Sequence, residues 1–122
     1  MNTLGSHLLV ELNGCNEQLL DDLSRVKSAL IDAADEAGAT IVGEIFHEFS
    51  PVGVTGVVAI AESHISIHTW PEHGYAAVDV FSCSETFRPH EAARLIVERL
   101  GAESHTVQVI ERGTTALLAP AI

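Results

Sequence analysis

Two strand-like runs bracket a short polar stretch in the middle of this chain, and together they constrain the fold more than any other feature. Val57-Val58-Ala59-Ile60-Ala61 is continuously apolar, and Tyr75-Ala76-Ala77-Val78-Asp79-Val80-Phe81 alternates in the manner of a half-buried strand. The polar groups between them are therefore expected on a rigid sheet. His7 to Leu12 reads as a first strand, broken by Asn13 and Gly14. Thr40 to Phe49 reads as another, which Ser50-Pro51-Val52-Gly53 turns into the Val57 run, and His105 to Glu111 reads as the last.

Two helical patterns separate these strands. Asn16 is a good N-cap, with Glu17 in the first turn. Leu19, Leu20, Leu23, Val26, Leu30, Ala33, Ala34 and Ala37 then recur at helical spacing until Gly38 stops the helix. Pro89 suits the start of a second helix, whose apolar face is Ala92, Ala93, Leu95, Ile96, Val97 and Leu100, ending at Gly101. The order β-α-β-β-β-α-β predicts an α+β fold, a two-layer sandwich of a mostly antiparallel sheet with two helices on one face. The uncovered face should be apolar, which points to pairing into a dimer. No repeat or linker interrupts the 122 residues, so a single domain over 1–122 is expected. Ala116 to Ile122 is an apolar tail without an assigned role.

Charge narrows the partners. Six Lys and Arg stand against 17 Asp and Glu, a formal charge of −11, and Lys27 is the single lysine. Nucleic-acid backbones demand clustered basic side chains, so no nucleic-acid partner is expected. The acidic balance favours a small cationic substrate, and it equally suits plain solubility. Cys15 and Cys83 are too few for a disulfide framework. No Lys or Arg precedes Arg25, unlike the basic start of a signal peptide. No apolar run nears the roughly 20 residues that span a bilayer. A cytoplasmic protein with reduced thiols and no membrane partner is the expectation.

Glu62-Ser63-His64, Ile67-His68-Thr69-Trp70-Pro71-Glu72, Gly74-Tyr75-Ala76 and Cys83 together resemble the prokaryotic S-adenosylmethionine decarboxylases. These are pyruvoyl enzymes that make their own cofactor from an internal serine. The similarity runs from Leu4-Gly5 and His7 through Gly38-Ala39 and Gly53-Val54 to Arg112-Gly113. It implies a zymogen that cleaves itself between Glu62 and Ser63 into fragments 1–62 and 63–122. The Ser63 hydroxyl would attack the Glu62 carbonyl to form an ester. β-Elimination would release the upstream chain, and the remaining dehydroalanine would hydrolyse to a pyruvoyl group. Such a carbonyl forms a Schiff base and acts as an electron sink without pyridoxal phosphate. The implied reaction is decarboxylation of S-adenosylmethionine, giving the aminopropyl donor for spermidine synthesis, in a homodimer with shared active sites.

The resemblance also assigns roles, and several residues have a plainer reading beside them. Alone, Ser63 is an ordinary polar residue at a strand start. His68 would be the processing base; alone, it reads as a hydrogen-bonded strand histidine. Cys83 would protonate the substrate α-carbon, a task suited to a thiol that keeps its proton near neutrality. A free cysteine is otherwise a small buried hydrophobe, the one reading for Cys15. Thr55 falls where the family has a serine whose hydroxyl assists processing. Phe49 would stack on adenine, or else pack in the core. Glu72 would bind the ribose hydroxyls, or else be a solvated turn residue. No metal is implied: His64 and His68 would lie about 13 Å apart along a strand, whereas zinc needs both nitrogens within about 2 Å.

Strand alternation puts Ser63 on the face opposite His64, Ser66 and His68. Ser63 and His68 of one protomer then diverge, unless a bulge or turn intervenes; pairing Ser63 with His68 of the partner subunit would join them. Three positions depart from the family pattern: Ser6 for a common arginine, Glu48 for a common basic residue, and Ser84 for the glycine after the cysteine. They leave open a basic amino-acid substrate, ornithine or arginine, with Glu48 as its acid, and also a catalytically silent homologue.

Overall fold

The structure, a computed structural model, describes residues 3–114. The apolar tail at Ala116 to Ile122 lies outside the described residues. In chain order the elements are β1 (Thr3–Asn13), α1 (Glu17–Leu20), α2 (Leu23–Glu36), β2 (Ile41–Glu48), β3 (Val54–Ile60) and β4 (Ser63–Trp70). A short 3₁₀ turn (Pro71–His73), β5 (Tyr75–Ser82), α3 (Pro89–Arg99) and β6 (Ser104–Thr114) follow. The strands form one sheet in the order β2-β3-β4-β5-β1-β6, with every neighbouring pair antiparallel. This is the expected α+β sandwich, with its helices on one face.

Two details differ from the expectation. Five strands were expected and six are present, because the polar stretch Ser63–Trp70 is itself a strand. Its alternate residues Ile65, Ile67 and Thr69 are buried, so polar side chains on the other face conceal a normal strand pattern. The first helix is also broken in two. Asn16 caps α1, accepting from the Leu19 N–H at 3.0 Å, as expected. Asp22 then caps α2 by accepting from the Arg25 N–H at 3.2 Å, and Asp21 accepts from the Gly53 N–H at 2.9 Å. Short acidic side chains bond backbone N–H groups in place of a continued helix.

The core lies between the helices and one sheet face. Leu8, Val10 and Leu12 of β1, Ile65 and Ile67 of β4, and Val78 and Val80 of β5 meet Val26 and Leu30 of α2 and Ile96 of α3. Each such side chain contributes roughly 2 kcal/mol by leaving water. Thr69 ties the layers together: its buried hydroxyl donates to the Leu20 carbonyl at 2.9 Å and accepts from the Val54 N–H at 2.8 Å. The opposite sheet face has no layer over it among the described residues. It presents His64, Ser66, His68 and Trp70 from β4, flanked by Thr55, Tyr75 and Phe81. No described helix is long and apolar enough to cross a membrane.

Candidate active site

Ile60 pairs with Ser63, so β3 and β4 join through a two-residue turn, Ala61-Glu62. Glu62 has φ +64° and is the one non-glycine residue with positive φ among those described. That left-handed conformation costs a residue bearing a Cβ roughly 1–2 kcal/mol. Ser63 pairs on its other side with Ser82, which brings the end of β5, and hence Cys83, beside this turn. The Glu62 carbonyl oxygen receives two bonds from Cys83: the backbone N–H donates at 3.3 Å and the Sγ thiol donates as well. The Ser63 Oγ is buried without a hydrogen-bond partner. A nucleophile, a strained carbonyl and two donors to its oxygen thus occupy one corner, the ingredients of an oxyanion hole around an acyl transfer.

Cys83 is exposed, unlike an incidental core cysteine, whereas Cys15 is buried and desolvation pushes its thiol pKa up. Cys83 opens on a cleft of about 680 Å³, shared with Leu4, Ser6, Ser82, Ser84 and Glu85. Ser84 also explains its own presence. Its hydroxyl accepts from the Thr86 N–H at 3.2 Å and the Phe87 N–H at 3.3 Å, closing the loop to α3 around the buried Phe87.

The other end of β4 is built differently. Thr55 lies directly across from His68, with Thr55 Oγ1 3.0 Å from His68 Nδ1. His47 lies across from Thr55 on the other side, and Phe49 meets the His47 ring edge-on at 4.6 Å. Phe49 is 48% exposed, so it is not a core residue. Trp70 stands beside His68 at 6.4 Å between rings and was not singled out from the sequence. The signal was its two-residue spacing from His68 on the same strand face. Trp70 also tilts against Tyr75, whose phenol donates to the Glu11 carboxylate at 2.7 Å. Desolvation, reinforced by that bond, pushes the Tyr75 pKa up to about 12. Glu72 is exposed in the 3₁₀ turn.

Ser63 and His68 do not meet. They lie on opposite sheet faces five residues apart, roughly 16 Å along the strand. The structure brings Ser63, Glu62 and Cys83 together, and separately Thr55 with His68, while Phe49 packs on His47, the neighbour of Thr55. His64 belongs to neither group. It stacks on Phe81 and lies 6.5 Å from His7, whose buried Nε2 sits 3.3 Å from Asp79 without the alignment of a hydrogen bond. Among the described residues no three His, Cys, Asp or Glu side chains are grouped to hold a metal ion. Lys27 pairs with Glu44 at 2.6 Å. Glu48 pairs with Val54, which puts it on the helix side of β2, away from the face carrying Thr55 and His68.

Residues 6–113 match the family model described as S-adenosylmethionine decarboxylase. A protein of Thermodesulfovibrio yellowstonii named S-adenosylmethionine decarboxylase proenzyme is 53% identical over 113 residues, covering 93% of this chain and 84% of that protein. A Moorella thermoacetica protein of the same name is 50% identical, covering 93% of this chain and 90% of its own length. The crystal structure of the adenosylmethionine decarboxylase from Aquifex aeolicus superposes with a TM-score of 0.88 at 36% identity, covering 99% of this chain and all of that one.

Proposed function

Because this chain belongs to the S-adenosylmethionine decarboxylase family, we propose that it cleaves its own Glu62–Ser63 bond and then decarboxylates S-adenosylmethionine. The observation that carries this reading is that two Cys83 donors hold the Glu62 carbonyl oxygen, next in the chain to the buried and unpartnered Ser63 hydroxyl. Ser63 Oγ attacks the carbonyl carbon, the Glu62–Ser63 C–N bond breaks, and an ester replaces the amide. The Cys83 N–H and Sγ–H hold the charge that develops on the carbonyl oxygen. Leaving the left-handed conformation of Glu62 assists the step.

The next step removes the α-proton of Ser63 and expels Glu62 as a carboxylate. His68 is the base for it, supported by Thr55. Within one protomer that imidazole is too distant, so we assign the role to His68 of the partner subunit. The uncovered sheet face then packs on a second copy, and each dimer has two shared sites. The dehydroalanine tautomerises to an imine, and water adds to it and expels ammonia, which leaves a pyruvoyl group, the electron sink that decarboxylation requires. Cys83 Sγ delivers the proton that replaces carbon dioxide on the α-carbon. Phe49 offers the exposed ring for adenine, and Glu72 offers two acceptor oxygens for the ribose diol. The reaction belongs in the cytoplasm, where Cys83 remains a thiol.

Ornithine and arginine have neither ring nor diol, and Glu48, the acid they would use, faces the helix layer. We expect kcat/KM for S-adenosylmethionine to exceed that for either amino acid by at least roughly tenfold, about 1.4 kcal/mol. Denaturing mass spectrometry of the purified protein tests the first half of the proposal. Fragments 1–62 and 63–122 are expected, the second beginning with pyruvoyl. A chain that stays whole after long incubation overturns the self-processing reading.

A further inference from the structure

The strand register builds a row of hydroxyls that leads away from Ser63. Ser63 pairs with Ser82, Ser82 with Ser6, and Ser6 with Glu111, so the four side chains stand side by side on one sheet face across β4, β5, β1 and β6. Directly opposed residues hold their Cβ atoms about 5 Å apart, within reach of hydroxyl contact by rotamer choice. Ser82 is 6% exposed and is, with Thr69, one of two buried polar residues among those described. Thr69 has a structural task, joining α1 to β3. Ser82 accepts the Ser84 N–H at 3.4 Å, which leaves its own proton and a second lone pair to place.

The far end of the row fixes its direction. Ser6 Oγ is 3.1 Å from both Glu111 oxygens, and Thr3 donates to the same carboxylate at 2.8 Å. A carboxylate only accepts, so the one Ser6 proton is committed to Glu111. Ser6 then offers Ser82 a lone pair and no proton. The structure closes no hydrogen bond between the Ser63, Ser82 and Ser6 hydroxyls; a change of rotamer would let Ser82 donate to Ser6 and leave a Ser82 lone pair for Ser63, whose buried Oγ has no other partner.

We propose that Ser82 is the positioning residue for self-processing: it accepts the Ser63 O–H in a row polarised by Ser6 and Glu111, which turns a Ser63 lone pair toward the Glu62 carbonyl. This deepens the self-cleavage reading and rests on it. It also gives the uncommon Ser6 a task that an arginine at that place could not perform, since arginine has no acceptor. In the ester-forming step the Oγ–C bond forms, the C–N bond breaks, and one proton moves in net from Oγ to the departing nitrogen, by way of water. Ser82 neither gains nor loses a proton overall.

The test follows the rate of fragment appearance in freshly synthesised full-length chain for Ser82→Ala, Ser82→Thr and Ser6→Ala. Ser82→Ala should slow cleavage roughly tenfold or more, the effect of losing one well-placed hydrogen bond on a transition state. Ser82→Thr keeps the hydroxyl and should cleave within about twofold of the parent, with Ser6→Ala between the two. Hydroxylamine should release no extra fragment from Ser82→Ala, because the delay precedes the ester. Circular dichroism of each variant tracks folding. Parent-like cleavage of Ser82→Ala, or equal slowing in well-folded Ser82→Thr, overturns the proposal alone. A parent chain that never cleaves overturns self-processing and this proposal together.

Discussion

At its first residue β4 turns Ser63 toward the helix layer, where the hydroxyl is buried beside a strained carbonyl already held by Cys83. Five residues later the same strand turns His68 outward, against Thr55 and the exposed Trp70. One end is enclosed by its own protomer, with the hydroxyl beside a carbonyl. The other is an open threonine–histidine pair. Strand parity enforces the separation, since an odd offset always changes face. On the proposed reading β4 holds one part of a site at each end, and a second copy would bring the parts together.

The harshest way to break this contrast is to remove the nucleophile. Ser63→Ala should give no fragments under any condition, a complete loss seen by mass. His68→Ala should instead stall with the ester formed, so that hydroxylamine cleaves the chain while untreated protein matures at least roughly a hundredfold more slowly. Co-refolding Ser63→Ala with His68→Ala chains sharpens the comparison. One class of site then has both groups, and cleaved His68→Ala chains should appear; none would contradict a cross-protomer site.

Smaller effects probe the surroundings of each end. Glu72→Gln should lower kcat/KM for S-adenosylmethionine by about tenfold, with less effect on a free amino acid that lacks the diol. Gly56, which pairs with Ile67 midway along β4, has no room for a methyl: a Cβ there would sit 2.1 Å from the Phe46 ring. Gly56→Ala should cost roughly 1–3 kcal/mol in a denaturant titration yet leave cleavage intact in the cold, separating the scaffold from both ends. The smallest effect is on the open face. Tyr75 is the single tyrosine, and its pKa is pushed up to about 12. The neutral phenol is favoured in the fold, so its contribution is full below the unfolded value of about 10 and is lost as pH rises through the folded one. Phenolate absorbance should therefore appear near pH 12 in the folded protein, and a midpoint near the ordinary value would contradict the Glu11 bond.

Much of this was legible in the sequence because it depended on local chemistry. The alternation of β5, the Asn16 cap, the proline that opens α3 and the glycines after α2 and α3 all act within a few residues of themselves. The parity argument that parts Ser63 from His68 needed only the assumption of a strand. What escaped notice depended on register. Nothing local brings Cys83 onto the Glu62 carbonyl; the turn through Gly74, at φ +60°, and the pairing of Trp70 with Tyr75 do so. The Ser63–Ser82–Ser6–Glu111 row draws on four strands, and His7 meets Asp79 across two. The break between α1 and α2 was hidden because apolar spacing continued across it, while Asp21 and Asp22 were already committed to other N–H groups.

The place of the proposed cut in the sheet order has a kinetic consequence. β1, β2 and β3 precede the Glu62–Ser63 bond and β4, β5 and β6 follow it, yet β1 lies between β5 and β6. The two products would share three strand ladders, β3 with β4, β1 with β5 and β1 with β6, so they cannot drift apart without dismantling the sheet. Recovery from denaturation would then change molecularity. The uncut precursor regains its sheet in a first-order process indifferent to dilution, whereas the matured pieces must first collide, and their yield falls as the solution is diluted. Maturation would act as a ratchet, leaving an assembly whose persistence rests on never having come apart.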